Sequence, residues 1–187
     1  MASDRTILVL GDSLSAAYGL RPEQGWVALL QKRLAREGYE YEVVNASVSG
    51  ETTSGGLQRL PRALELHKPG LMILELGAND GLRGLPLAVV AGNLEKMVAL
   101  AKQSHARVLL VGMRIPPNYG PRYTDDFARM YPQIASRESL PLVPFLLQSV
   151  ALDADRMQGD GLHPNARGEP AVLDTLWPQL EPLLQKK

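Results

Sequence analysis

Short apolar runs alternate with longer amphipathic segments along almost the whole of this 187-residue chain. Most of the runs are continuously apolar, which is typical of parallel strands that are covered on both faces. There are five of them, at residues 6–10, 41–45, 71–76, 106–111 and 140–143. The pattern therefore predicts a five-stranded parallel β-sheet.

Three of the intervening segments carry apolar residues at helical spacing, at 26–34, 87–101 and 173–184. Pro178 is expected to kink or break the last of these helices. Alternating strands and helices predict an α/β fold, a three-layer α/β/α sandwich that forms one domain over residues 1–187. Five strands suit the flavodoxin-like order 2-1-3-4-5, in which functional sites form at the carboxyl ends of the strands.

The composition excludes several partners and chemistries. With 20 basic and 20 acidic residues, the chain offers no excess positive charge for nucleic acid or an anionic membrane surface. It has no cysteine, which excludes disulfides, thiolate catalysis and thiolate metal sites. No apolar run approaches the roughly 20 residues of a membrane-spanning helix. The first residues do not resemble a signal peptide, so that both a cytosolic protein and an exported one that has lost its leader stay open.

Four small polar loops that contain glycine punctuate the pattern. Three follow predicted strands: Gly-Asp-Ser-Leu-Ser at 11–15, Asn-Ala-Ser-Val-Ser-Gly-Glu-Thr at 45–52 and Gly-Ala-Asn-Asp-Gly at 77–81. The fourth, Asp-Gly-Leu-His-Pro at 160–164, lies near the carboxyl end of the chain. Each alone would be explained as a helix cap or a turn. Because parallel strands end at one edge of the sheet, we expect the four loops to converge there.

Together the loops provide the groups that serine catalysis needs. Ser13 can serve as the nucleophile if a base lies within hydrogen-bond reach, and His163 is the candidate base. Asp160, three residues before the histidine, can orient the imidazole. Three donors are candidates for an oxyanion hole: the backbone N–H groups of Ser13 and Gly50 and the side-chain amide of Asn79. The spacing of His67, His105 and His163 has no metal-ligand regularity, and we expect neither a metal nor a cofactor.

In order and spacing, the four blocks resemble the SGNH (GDSL-type) hydrolase family, and in particular its bacterial thioesterase, protease and lysophospholipase members. The resemblance extends from Leu8 to about Leu184 and implies the same nucleophile, triad and oxyanion donors. It further implies hydrolysis of aryl esters, acyl-CoA and lysophospholipids, and a periplasmic or secreted location. Two positions depart from the family pattern, since Glu51 replaces the usual Asp and Ala78 the preferred Gly. Both border the oxyanion hole.

Two loops beside the expected site, 81–86 and 113–120, combine apolar residues with glycine and proline. An acyl-chain enzyme needs an apolar groove beside its nucleophile, whereas a sugar deacetylase needs a polar pocket. The residues that we expect to contact the acyl chain are Leu82, Leu85, Ile115, Pro116 and Tyr119. The expected partner is a small acyl ester or thioester, bound by a monomer.

Two other functions stay compatible with these residues. A carbohydrate deacetylase of the same family would share the triad and differ in its pocket. A non-catalytic flavodoxin-like binding module would share the fold, although the phosphate-binding motifs G-x-x-x-x-G-K-[ST] and G-x-G-x-x-G are absent. The G-x-S-x-G elbow of the α/β-hydrolase fold is absent too.

Three acidic residues lie close to the expected site without an assigned role. Asp12 and Asp80 are expected to form structural hydrogen bonds within their own loops. Glu75 interrupts an apolar strand. An ionised carboxylate needs a partner there, and none can be identified from the sequence.

Overall fold

A computed structural model describes residues 3–186, so that both ends of the predicted 1–187 domain lie outside the described residues. The sheet has five parallel strands in the order β2-β1-β3-β4-β5. They are β1 (Ser3–Gly11), β2 (Glu42–Asn45), β3 (Pro69–Glu75), β4 (Arg107–Val111) and β5 (Leu142–Val143). The predicted strands and their order are confirmed, with shifts of a few residues at the ends.

Helices cover both faces of the sheet. They are α1 (Trp26–Arg36), α2 (Thr53–His67), α3 (Ala78–Leu82), α4 (Leu87–Gln103), α5 (Pro121–Glu138) and α6 (Glu169–Leu180). Short 3₁₀ turns occur at Pro22–Gln24, Pro117–Tyr119 and Glu181–Leu183. In one layer α2, α4 and α5 pack side by side, and in the other α1 packs against α6. The predicted α/β/α sandwich is confirmed.

The two central strands are buried along most of their length. Residues 7–10 of β1 and 71–74 of β3 have no exposed surface. Helices pack against both faces of these strands, which is why their sequences are apolar without alternation. Full burial of each Val, Leu or Ile side chain contributes about 1.5–3 kcal/mol, so that these strands form the centre of the hydrophobic core.

Three helices continue through an internal proline. The sequence periodicity did not single out α2 or α5, which contain Pro61 and Pro132. Nor does Pro178 break α6, which continues to Leu180. All three prolines lie on exposed helix faces, where water can bind the carbonyl group that loses its N–H partner.

Because the strands are parallel, the loops that follow all five open at one edge of the sheet, here called the carboxyl edge. Helices α2 and α4 begin at this edge and end at the opposite one. None of the helices within residues 3–186 combines the length and the apolar character needed to cross a bilayer.

Candidate active site

A tight turn after β1 presents Ser13. The backbone N–H groups of Ser15 and Ala16 donate to the carbonyl oxygen of Asp12, at 3.2 and 2.9 Å. The Asp12 side chain accepts the N–H of Leu14 through Oδ1 at 3.0 Å. As expected from the sequence, Asp12 therefore bonds within its own loop. These bonds hold Ser13 at the carboxyl edge with its side chain only partly buried.

Ser13, His163 and Asp160 form a continuous hydrogen-bonded chain. The Oγ atom of Ser13 lies 2.8 Å from Nε2 of His163, and Nδ1 of His163 lies 2.6 Å from Oδ2 of Asp160. Since a carboxylate only accepts, the Nδ1–H group donates to Asp160 and leaves Nε2 free to accept the serine proton. The structure thus brings together the three residues that the sequence predicted, in the arrangement that activates a hydroxyl nucleophile.

The loop around Asp160 keeps its carboxyl group ionised. Partial burial acts to raise its pKa, but hydrogen bonds from the N–H of Leu162 and from the side chain and N–H of His163 outweigh burial and lower the pKa overall. Asp160 therefore carries a negative charge that stabilises a protonated imidazole. The ring of Tyr18 also lies beside this imidazole, with the two ring centroids 4.5 Å apart.

Asn79 joins the loops after the first three strands. It lies in the first turn of α3, and its Nδ2 donates to the carbonyl oxygen of Glu51 at 3.0 Å and to Oδ2 of Asp12 at 3.2 Å. Gly50, which precedes Glu51, adopts φ +79°, a conformation that favours glycine. The structure thus brings Asn79 next to the Ser13 loop and next to the segment that contains Gly50.

The two departures from the family pattern lie on either side of Asn79. The Glu51 carboxylate pairs with Arg59 of α2, with Oε2 at 2.6 Å from Nε, while its carbonyl oxygen accepts from Asn79. Ala78 lines the same cavity as Asn79. The longer side chain of Glu51 therefore connects to α2, and the contact to Asn79 is made by its backbone.

The other two acidic residues have partners in neighbouring elements. Asp80 accepts the N–H and the hydroxyl of Thr53, at 2.9 and 2.6 Å. It therefore connects α3 to the first turn of α2, which corrects the expectation of bonds within its own loop. Glu75 accepts from the Ser15 hydroxyl at 2.7 Å and from the Asp12 N–H at 3.3 Å. These partners could not be predicted from the sequence, because they lie in the loop after a different strand, β1.

A cavity of about 750 Å³ opens at the carboxyl edge, with Ser13, Asn79 and His163 among its lining residues. Of the residues predicted to contact an acyl chain, Leu82, Ile115 and Pro116 also line it. Its size and mainly apolar lining are typical of small-molecule sites.

Leu85 and Tyr119 were predicted to contact the acyl chain but do not line this cavity. The backbone of Leu85 turns towards α5, where its carbonyl oxygen accepts the Tyr123 hydroxyl at 2.7 Å. Tyr119 lies in the 3₁₀ turn before α5 and is partly exposed.

Sequence reasoning missed the wall of the cavity that follows β5. The lining residues from this segment are Pro144, Phe145, Leu147, Gln148, Ala151, Leu152 and Met157. Their signal was available, since they follow a predicted strand at the same edge as the other loops. The segment was not predicted to line the site, because it lacks the small polar residues that are typical of the other loops.

The other two histidines lie far from this cavity in the fold. His67 ends α2 and His105 follows α4, so that both are at the edge of the sheet opposite His163. In the part of the chain that the structure describes, no three His, Asp or Glu side chains come together as a set of metal ligands.

A sequence profile of the GDSL-like lipase/acylhydrolase family matches residues 9–170, which include the Ser13 loop and the loop with Asp160 and His163. The chain belongs to this family. Several family members are similar over nearly the whole chain. The esterase TesA of Pseudomonas aeruginosa is 54% identical over 98% of this chain and 91% of its own length. An arylesterase of Vibrio mimicus is 46% identical over 90% of this chain and 84% of its own length.

A third relative is the thioesterase 1/protease 1/lysophospholipase L1 of Escherichia coli K12, 41% identical over 98% of this chain and 86% of its own length. The fold agrees as well. A crystal structure of TesA superposes with a TM-score of 0.93, at 54% identity, and covers 96% of this chain and 99% of its own. The SGNH-type sheet order expected from the sequence is therefore the order of the family.

Proposed function

We propose that this member of the family is a serine hydrolase that cleaves carboxylic esters and thioesters through an acyl-enzyme on Ser13. The observation that carries the proposal is the hydrogen-bonded chain from Ser13 through His163 to Asp160 beside an apolar cavity. A nucleophile, a base and an orienting carboxylate are the groups that acyl transfer requires.

In the first half of the reaction, Nε2 of His163 takes the Ser13 proton while Oγ attacks the carbonyl carbon of the substrate. The imidazolium that forms is stabilised by the ionised Asp160. The backbone N–H groups of Ser13 and Gly50 and the amide of Asn79 stabilise the oxyanion. When the tetrahedral intermediate collapses, His163 returns the proton to the leaving alcohol or thiol.

In the second half, water replaces the leaving group. His163 takes a proton from the water, whose oxygen attacks the acyl carbon of the ester on Ser13. The same donors stabilise the second oxyanion, and the Ser13 oxygen leaves with the proton from His163. The acid is released and the hydrogen bond between Ser13 and His163 forms again.

The substrate class follows from the cavity and from the relatives. Leu82, Ile115, Pro116 and the segment after β5 offer an apolar wall to an acyl chain. Relatives named esterase, arylesterase and thioesterase/lysophospholipase support aryl esters, acyl-CoA and lysophospholipids as substrates. The alternatives of a sugar deacetylase and a non-catalytic module gain no support from these relatives.

The proposal also covers the assembly of the protein. One chain provides a nucleophile, a base and an orienting carboxylate, and we propose a single-domain enzyme that acts as a monomer. The family resemblance is the ground for a periplasmic or secreted location. Size-exclusion chromatography with light scattering tests the first point, and fractionation of cells that express the native gene tests the second.

The decisive experiment labels the nucleophile. A fluorophosphonate probe should modify Ser13, as identified by peptide mass spectrometry, and Ser13→Ala should lose both labelling and hydrolysis of p-nitrophenyl esters. Ser104→Ala is the matched control, because Ser104 follows α4 at the opposite edge of the sheet. Labelling of a different serine, or full activity of Ser13→Ala, would overturn the proposed function.

A further inference from the structure

Two carboxyl groups are buried side by side next to the Ser13 loop. Glu75 ends β3 with no exposed surface, and Asp12, directly after β1, is 1% exposed. The strand register pairs Gly11 with Glu75, which brings the two residues together. No lysine or arginine in residues 3–186 forms an ion pair with either carboxyl group. Two buried negative charges without a cation would be strongly unfavourable.

The two oxygens of Glu75 have different surroundings. Oε2 accepts from the Ser15 hydroxyl at 2.7 Å and from the Asp12 N–H at 3.3 Å. Oε1 is equally buried, yet it has no hydrogen-bond donor. An ionised carboxylate accepts at both oxygens, whereas a protonated one carries an O–H group on one of them. The lack of a donor at Oε1 is therefore the pattern of a protonated side chain.

Asp12 shows the opposite pattern. Oδ1 accepts the Leu14 N–H at 3.0 Å, and Oδ2 accepts from Nδ2 of Asn79 at 3.2 Å. Both of its oxygens act as acceptors, as they do in an ionised carboxylate. The side chains of Asp12 and Glu75 are hydrogen-bonded to each other, and Oε2 of Glu75 is already occupied by two donors, the Asp12 N–H and the Ser15 hydroxyl.

The pKa directions agree with this assignment. Burial, followed by repulsion from Asp12, raises the pKa of Glu75 well above its usual range. Burial also raises the pKa of Asp12, to about 6, but hydrogen bonds from Leu14 and Glu75 and the nearby His163 oppose the increase, while Asp80 adds to it slightly. Asp12 therefore ionises before Glu75.

We propose that Asp12 and Glu75 share one proton, which is held on Oε1 of Glu75 and donated to Asp12, and that this pair positions Asn79 in the oxyanion hole. The inference rests on the esterase function proposed above. In it, Asp12 and Glu75 are positioning residues, since neither forms a bond to the reacting atoms and Asp12 contacts the Asn79 amide.

The proton has a second consequence for catalysis. With it, the pair carries one negative charge beside the place where the oxyanion forms, and without it the pair carries two. A second charge would repel the oxyanion, and without the hydrogen bond from Glu75 the Asp12 carboxylate would bind the Asn79 N–H more strongly. Holding the proton on Glu75 thus keeps the Asn79 amide available to the intermediate.

Two reciprocal variants of equal size test the position of the proton. In Glu75→Gln, the amide N–H₂ replaces the acid O–H as donor to Asp12, and the amide oxygen still accepts from Ser15. We expect its kcat to stay within about threefold of the unaltered enzyme. In Asp12→Asn, a new N–H₂ group faces Nδ2 of Asn79, so that two donors oppose each other. We expect its kcat to fall at least about tenfold with KM little changed.

The reverse result would overturn the inference. If Asp12→Asn were active and Glu75→Gln were not, the proton would reside on Asp12. If both variants kept full kcat, the pair would not position Asn79. Thermal melting of each variant checks folding, because a destabilised variant is partly unfolded and its apparent kcat falls for that reason alone.

An infrared measurement tests the proton without depending on activity or on a folded Asp12 variant. At about pH 8, the protein should show the C=O band of a protonated carboxylic acid, which Glu75→Gln lacks. The Glu169→Gln background removes the other buried carboxyl group whose pKa is raised. If Glu169→Gln shows no acid band, the inference that Asp12 and Glu75 share a proton is wrong. Activity of Ser13→Ala would instead overturn only the proposed function.

Discussion

Asn79 has two amide N–H groups, and both already have acceptors in the resting site. The shorter bond is to the carbonyl oxygen of Glu51 and the longer one to Asp12, and in the proposed mechanism the oxyanion shares the N–H of the longer bond. At the scale of single residues, the site is thus a set of donors held in place before the charge develops. Such preorganisation acts mainly on the transition state.

Removing this donor gives the first prediction at the residue scale. Asn79→Ala should lower kcat by about 10²–10³-fold and leave KM nearly unchanged, since the amide stabilises the oxyanion more than the bound ester. Steady-state kinetics with p-nitrophenyl butyrate measure both constants. Asn118→Ala removes an amide from the 3₁₀ turn before α5 and should leave kcat unchanged. An effect on KM alone would assign Asn79 to substrate binding.

At the scale of elements, the ends of strands and helices determine which groups meet. Asp80 holds the first turn of α2 against α3, and Asn79 connects the loops after β1 and β2. A comparable connection lies on the other face of the sheet, where Oε2 of Glu169, the first residue of α6, accepts the N–H of Trp26, the first residue of α1, at 2.7 Å.

Glu169 makes the packing of α1 against α6 sensitive to pH. Burial raises its pKa to about 7, although the hydrogen bond from Trp26 opposes the increase. Between its ordinary pKa and about 7, the folded protein holds a proton that the unfolded chain releases. The free energy of unfolding therefore decreases as pH rises through this range, by up to about 3 kcal/mol.

Glu169→Gln keeps an acceptor for Trp26 and removes the ionisation. Its free energy of unfolding should match that of the unaltered protein at about pH 4.5 and exceed it by up to about 3 kcal/mol at about pH 8. Urea unfolding at both pH values measures the difference. Glu65→Gln is the surface control, because Glu65 is largely exposed, and it should leave the pH dependence unchanged. Equal pH dependence in Glu169→Gln and the unaltered protein would contradict the role of Glu169.

At the scale of the whole molecule, the cavity unites segments that are distant in sequence. Its walls come from the loops after β1, β3, β4 and β5 and from the loop that carries His163. The cavity proposed to hold the acyl chain is therefore lined by residues that follow four different strands. We therefore expect the cavity as a whole to determine which acyl lengths the enzyme accepts.

The last prediction concerns this acyl length. For p-nitrophenyl esters from acetyl to hexanoyl, kcat/KM should rise by up to about fourfold for each methylene that the cavity buries. Leu82→Ser should flatten the rise and retain activity on acetyl esters. Leu100→Ser is the matched control, since Leu100 is also half-buried but lies near the end of α4 at the opposite edge. A preference for acetyl esters in the unaltered enzyme would contradict an apolar acyl groove.

The five strands and the candidate catalytic groups could be predicted from the amino-acid sequence. Continuous apolar runs predicted the five strands, because strands covered on both faces leave no place for polar residues. The small polar loops drew attention to Ser13, Asn79 and His163, since parallel strands bring such loops to one edge. Helices α2 and α5 were not predicted, and tertiary packing maintains both despite their internal prolines, Pro61 and Pro132.

The contacts between side chains from different elements could not be predicted and were found in the folded protein. It brought Glu75 against Asp12 and Ser15, turned Leu85 towards α5 and added the segment after β5 to the cavity. Local sequence cannot give these contacts, because they depend on the register between strands and on the direction in which each loop leaves the sheet. The partners of Glu75, for example, lie in the loop after the neighbouring strand β1, 60 and 63 residues away in sequence.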